Sequence, residues 1–173
     1  MQMPHYLGDV NMMTSTISFF GHRKIENFPE VELRLESLIR DLIEQREYVE
    51  FLVGRNGEFD QLVASTVLRL KKIIGGDNSA LILILPYMTA EFANNQASFE
   101  RYYDEIEIST AAADKHFKSA IQARNREMIE RSDMVICYVT HKGGGAYQSM
   151  QYAKRQDKEI INIANHTDNE GLG

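Results

Sequence analysis

A single cysteine, Cys137, is all the thiol chemistry this sequence carries. An intramolecular disulfide is thereby excluded, and a reducing, cytoplasmic setting is the expectation. Long hydrophobic runs are missing too. None approaches the roughly 20 residues that span a bilayer. Met1 to Thr14 has neither the basic start nor the apolar centre of a secretory leader, so no membrane partner is expected. Positive charge is short: 19 Lys and Arg stand against 25 Asp and Glu, a formal net charge of −6. That balance counts against a protein that grips nucleic acid through many phosphates. The sequence also lacks HExxH, CxxC, GxxxxGK(S/T) and GxGxxG patterns. A zinc site, a P-loop and a dinucleotide fingerprint are each left without a signature, and neither a metal nor a cofactor beyond a nucleotide-type ligand is expected.

What is present is ordinary globular material. With 173 residues, 43% hydrophobic and 25% charged, the chain is long enough for one domain with a sizeable core. That domain is expected over residues 15–165, with an N-terminal arm over 1–14 and a short tail over 166–173. Strands are predicted at Thr16–Phe20, Tyr48–Val53, Met134–Val139 and Glu159–Ala164, and a short alternating one within Tyr102–Ser109. Ala80 to Pro86 is almost unbroken apolar sequence, as in a strand buried on both faces of a parallel sheet. Helical spacing follows Pro29 as far as Glu47, runs from Glu58 to Ile74, and recurs from Ala111 to Arg131 with a break near 115–119. A last helix is predicted from Ala146 to Gln156. Tyr87 to Arg101 is polar and reads as a surface loop or lid with a short helix. Strands alternating with helices give a Rossmann-like three-layer α/β/α sandwich with a mostly parallel sheet.

In such a sheet ligands sit beyond the carboxyl ends of the strands. Gly143, Gly144 and Gly145 fall where the strand ending at Val139 turns into a helix, a corner of bare amides at the positive end of a helix dipole. Gly21, His22 and Arg23 follow the first strand, and Gly54, Arg55, Asn56 and Gly57 follow the second. Arg23 and Arg55 offer forked donors for phosphate, and His22 or His141 a titratable one. Glu58 and Asp60 open a helix and are placed to hold a ribose hydroxyl. Arg124 and Asn125 add a polar pair on the helix feeding the late strand. Each has a plainer reading: glycines as turns, histidines as surface residues, acids answering a helix dipole, Arg124 paired with Glu127 or Asp133. Asn125 has no propensity reason to sit mid-helix.

The motifs in series resemble a known family. Phe19-Phe20-Gly21-His22-Arg23 is similar to an F-x-GHR opening, and Gly54 to Asp60 with Ala64 and Leu68-Arg69-Leu70-Lys71 to a GG-x-x-GFD…A…L-x-L-K segment. Arg124 to Ile129 with Ser132-Asp133 resembles RN-x-x-M-(I/V)-x-x-SD, and Gly143 to Gly145 with Tyr152-Ala153-Lys154 resembles GGT…YA-x-K. The order and spacing, over residues 17 to 164, resemble YpsA-like proteins of the SMF/DprA-LOG (SLOG) superfamily. That resemblance implies a nucleotide or nucleotide-derivative pocket at the strand ends. Relatives include the Lonely Guy phosphoribohydrolases, DprA, which handles single-stranded DNA, and ligand sensors.

One departure bears on activity. The Lonely Guy pattern PGG-x-GT-x-x-E carries a catalytic glutamate, and Gln151, or in the other register Met150, stands at its position here. Neither side chain can act as a carboxylate base. The expectation is a binding module for a small phosphate-containing ligand, acting as a sensor or regulator and forming a homo-oligomer. Two alternatives stand beside it: an N-glycosidase using Asp60, Glu58 or Glu91, and a DprA-like role on single-stranded DNA.

Overall fold

The computed structural model describes residues 12–113 and 115–165. The expected arm, apart from residues 12–14, and the expected tail lie outside the described residues. β-Branched and aromatic residues form β1 (Thr14–Gly21) and β2 (Tyr48–Val53), and the apolar run forms β3 (Ser79–Leu85), buried along its whole length. β4 (Glu105–Ile108), β5 (Met134–Tyr138) and β6 (Glu159–Asn162) complete one six-stranded sheet. The strand order is β4-β3-β2-β1-β5-β6, and every neighbouring pair is parallel.

Helices cover both faces, as parallel connections require. On one face α1 (Phe28–Gln45) buries Val31, Leu35, Ile39 and Leu42, a stripe at helical spacing that starts just after Pro29. Beside it lies α2 (Glu58–Ile74), which stops at Gly75 with φ 70°. On the other face α5 (Phe117–Arg131) and α6 (Gly144–Arg155) bury Met128, Ile129, Met150 and Ala153 against β1 and β5.

Tyr87 to Arg101 is neither loop nor lid. It forms two short helices, α3 (Ala90–Asn94) and α4 (Gln96–Tyr102), whose Phe92 and Phe99 are buried in the same core as α1 and α2. Thr89 caps the first of them, its Oγ1 accepting the Phe92 N–H at 3.1 Å. Two aromatics seven residues apart anchor the segment, and the polar residues between them face outward.

The order of strands places the crevice. From β1 the chain passes to β2 on one side, whereas β5 lies on the other, so connections leave the carboxyl ends of β1 and β5 in opposite directions. Gly21 of β1 pairs with Tyr138 of β5, so the two strands end level and their loops emerge side by side.

Candidate functional site

Two loops are docked to each other before any ligand is considered. After β1 the chain runs Gly21-His22-Arg23, and after β2 it runs through Gly54 to Gly57 into α2. A Cβ on Gly57 would lie 2.5 Å from Arg23 Cα, and one on Gly21 would lie 2.2 Å from Cγ of the buried Phe59. The Glu58 N–H donates to the Arg23 carbonyl at 2.9 Å, and Glu58 Oε2 accepts the Ile25 N–H at 2.8 Å. Glu58 therefore fastens the two loops. Tyr138 Oη accepts the Glu26 N–H at 3.0 Å, tying the β1 loop to β5 as well.

These loops, with the start of α6 and one face of α5, enclose a cavity of about 270 Å³. Gly21, His22, Arg23, Gly54, Asp60, Arg124, Asn125, Gly143, Gly144 and Gly145 all line it. Sequence reasoning left Ile121 and Met128 out. Both were within reach of it, since 121, 124, 125 and 128 share one helical face once Arg124 is placed there.

Arg124 dominates the interior and is only 2% exposed. Its Nη1 donates to the Ile84 carbonyl at 2.8 Å, and its Nε to Asn125 Oδ1 at 2.9 Å. The mid-helix asparagine is thereby explained, because it orients a buried guanidinium. The plainer surface pairing does not form, because Asp133 accepts the Thr16 N–H and Glu127 bonds the Ser109 hydroxyl. Among the described residues Arg124 Nη2 has no acceptor, yet no fully buried side-chain nitrogen or oxygen lacks a partner. Nη2 therefore opens on the cavity that Arg124 lines.

Asp60 faces it from α2. One carboxylate oxygen accepts the Asn56 N–H at 2.9 Å. Burial pushes the Asp60 carboxyl up, against the pull of that amide and of the Arg124 charge. Burial likewise lowers Arg124, and Asp60 opposes it. Gly54 gives the two room: a Cβ there would stand 3.0 Å from Arg124 Nη1 and 3.2 Å from Asp60 Oδ2.

At the glycine corner, Gly143 has φ 139° and Gly144 φ 80°, so both need the freedom of glycine. Gly145 does not, and open space lies over it. No side chain caps the start of α6, which leaves its first amides without an intrahelical or side-chain acceptor. On the rim His22 and His141 stack with centroids 3.9 Å apart and planes 2° from parallel. His22 Nε2 accepts the Thr140 N–H at 3.0 Å, which puts the ring proton on Nδ1. Burial lowers the His22 pKa, and His141 lowers it further, while Glu26 raises it.

Two candidate residues lie elsewhere. Gly57 packs under Arg23 and does not line the cavity. Arg55 turns to the other side of its loop, where Glu91 holds it by an ion pair at 2.8 Å and its Nη1 donates to Tyr103 Oη at 2.9 Å. Its guanidinium lies 4.8 Å from the centre of the Phe99 ring, and the bond to Glu91 raises its already high pKa. Arg124 fills the space beyond the end of β2, so a neighbouring arginine points away. The Tyr87 region lines a separate hollow with Phe117, 5.5 Å between ring centres. Among the described residues no cluster of three or more metal-ligating side chains occurs, and no helix is long and apolar enough to cross a membrane.

No family model and no curated protein matches the chain. Solved structures do. DNA processing protein A (DprA) from Streptococcus pneumoniae superposes with a TM-score of 0.62 at 13% identity, over 85% of this chain and 49% of that one. This chain thus spans about half the length of that relative. DprA from Helicobacter pylori, solved for its mode of binding single-stranded DNA, gives 0.61 at 18% identity over 92% and 74%. The molybdenum cofactor carrier protein of Chlamydomonas reinhardtii gives 0.59 at 10% identity over 92% and 83%. The fold is the Rossmann-like α/β one shared with these structures. At these identities the likeness concerns the backbone.

Proposed function

We propose that this YpsA-like SLOG domain binds a nucleotide or nucleotide-derived phosphate in the cavity at the β1/β5 switch point, as a sensor or regulatory module. One observation carries the reading: a buried guanidinium keeps one nitrogen free toward the same cavity that the uncapped start of α6 enters. A buried cation with no carboxylate within ion-pair distance among the described residues and a helix N-terminus both favour an anion there. Arg23 adds a second positive group at the mouth, and Asp60 is placed for a ribose hydroxyl. The DprA of Helicobacter pylori, which binds single-stranded DNA, and the molybdenum cofactor carrier lend support to a ligand pocket on this fold.

Gly145→Asp tests the reading without unfolding the protein. The site has open space and needs no positive φ, and an acid in the first turn of α6 favours the helix dipole. The expected result is an unchanged or higher melting temperature, together with loss of the thermal shift that nucleoside monophosphates give the parent. A parent protein that no nucleotide shifts would remove the proposal.

A second reading, hydrolysis of an N-glycosidic bond, is favoured by Asp60, a carboxyl group on the cavity wall whose pKa burial raises. Glu58 and Glu91 are committed to the Ile25 amide and to Arg55. Its assay is release of free base from AMP, CMP or IMP.

A further inference from the structure

The cavity does not end at the glycine corner. Asn125 and Gly145 also line a groove of about 450 Å³ between α5 and α6, so the two spaces share a wall. Tyr152 lies in that groove with two guanidiniums set against its ring, Arg126 at 5.6 Å and Arg155 at 5.7 Å. Its hydroxyl is fixed by Glu130 at 2.5 Å, which holds the ring in place.

The charges there are unusual for this chain. Arg34, Arg40, Arg55, Arg69 and Arg131 each have a carboxylate partner. Among the described residues Arg126 and Arg155 have none within ion-pair distance, nor do Arg23 and Arg124 in the cavity. Arg46 and Arg101 also lack a carboxylate partner among the described residues and lie elsewhere, but the other four unpaired arginines fall along one path in this acidic protein, from the β1 loop across the glycine corner to the α5–α6 groove. Arginine over an aromatic ring, beside side-chain amides such as Gln148 and Gln151, is the chemistry that stacks a heterocycle and reads its edge. A cavity of about 270 Å³ lies just below the usual range for small-molecule pockets, so a ligand larger than one phosphorylated sugar has to extend.

We propose that the α5–α6 groove is a second subsite, taking the second base of a dinucleotide whose phosphate sits at the glycine corner. This rests on the phosphate reading above and goes beyond it by naming the ligand class: two nucleosides bridged through phosphate. A long polynucleotide is disfavoured by the −6 net charge, since the cationic path is short.

The test is calorimetry on the whole chain with 5′-phosphorylated homodinucleotides of the four bases and the matching mononucleotides. The best dinucleotide is expected to bind about tenfold or more tightly than its mononucleotide, as one added stacked base implies. The variant R126Q/R155Q, altered at two exposed positions, is expected to bring the dinucleotide down to the mononucleotide's affinity and leave the mononucleotide unchanged. Equal affinities in the parent, or a gap that survives the double substitution, would overturn the second subsite while the phosphate reading stands. Binding of neither ligand class would remove both readings. A ten-residue single strand binding more tightly than every dinucleotide would replace the dinucleotide with a polynucleotide and overturn the ligand class.

Discussion

At the residue scale, glycines that look alike in sequence do different work, and substitution separates them. Gly57 has an extended φ of 176°, which any residue adopts, yet a Cβ there meets the Arg23 backbone at 2.5 Å. Backbone cannot step aside as a flexible side chain can. Gly57→Ala is therefore expected to cost about 1–3 kcal/mol in urea denaturation, in line with overpacking elsewhere. It should weaken nucleotide binding too, since Arg23 must shift. Gly145→Ala, with open space over it, is the control and should leave the denaturation midpoint in place. Arginines divide in the same way. Arg55 sits in the stronger motif, between Gly54 and Gly57, but its partners Glu91 and Tyr103 lie 36 and 48 residues away in sequence. Arg124 sits in a helix with no glycine near it and is the one that reaches the cavity. Local sequence could not rank the two, because the ranking depends on which neighbour fills the space beyond β2.

At the scale of elements, the β1 and β5 loops meet through two imidazoles, and their stacking has a pH consequence. His22 is held neutral: its Nε2 accepts a backbone N–H, part of its surface is buried, and His141 lies face to face with it. Charging both rings at that distance is unfavourable. Because the native pKa lies below the unfolded value of about 6.5, the unfolded chain binds the proton more readily. The stabilisation is fully present above pH 6.5 and is lost as pH falls through the lowered native value. Titration by proton NMR should place the His22 midpoint below 6.5, and His141→Ala should move it upward. A midpoint at or above 6.5 in the parent would contradict the geometry.

The same scale shows what sequence reveals and what it hides. Every strand and long helix was legible except the start of α5, expected at Ala111 and found at Phe117, because burial on both faces writes unbroken apolar runs such as Ala80 to Leu85, and helices write a stripe such as Val31, Leu35 and Ile39. Of the α3–α4 segment only a short helix was. Its cores are single aromatics, Phe92 and Phe99, in short polar turns, and what makes them helical is contact with α2's side of the sheet. For the site, the glycine corners and the Arg124–Asn125 pair could be named. The groove of Arg126, Tyr152 and Arg155 could not, since it joins residues from two helices whose adjacency only the fold supplies.

At the scale of the whole molecule, Asp60 and Arg124 come from helices on opposite faces of the sheet and approach each other over its carboxyl edge. Two charges buried there are a burden on folding unless their attraction exceeds the loss of hydration. The Asp60 carboxyl answers which effect wins: its pKa is raised, so burial outweighs both the Asn56 amide and Arg124. An acid whose native pKa lies above its unfolded value destabilises the fold once ionised, and that cost is relieved as pH falls through the native value. Asp60→Asn keeps an oxygen for the Asn56 N–H and removes the charge. The urea midpoint at pH 7 should therefore rise. The same change leaves Arg124 as the cavity's interior charge, so inorganic phosphate should bind several-fold more tightly by calorimetry. A carboxylate that costs stability and repels phosphate is retained, on this reading, for contact with another part of the ligand, which stability alone would not select. A lower midpoint in Asp60→Asn would show instead that the Asp60–Arg124 attraction holds the two faces together, and the ribose contact would lose its support.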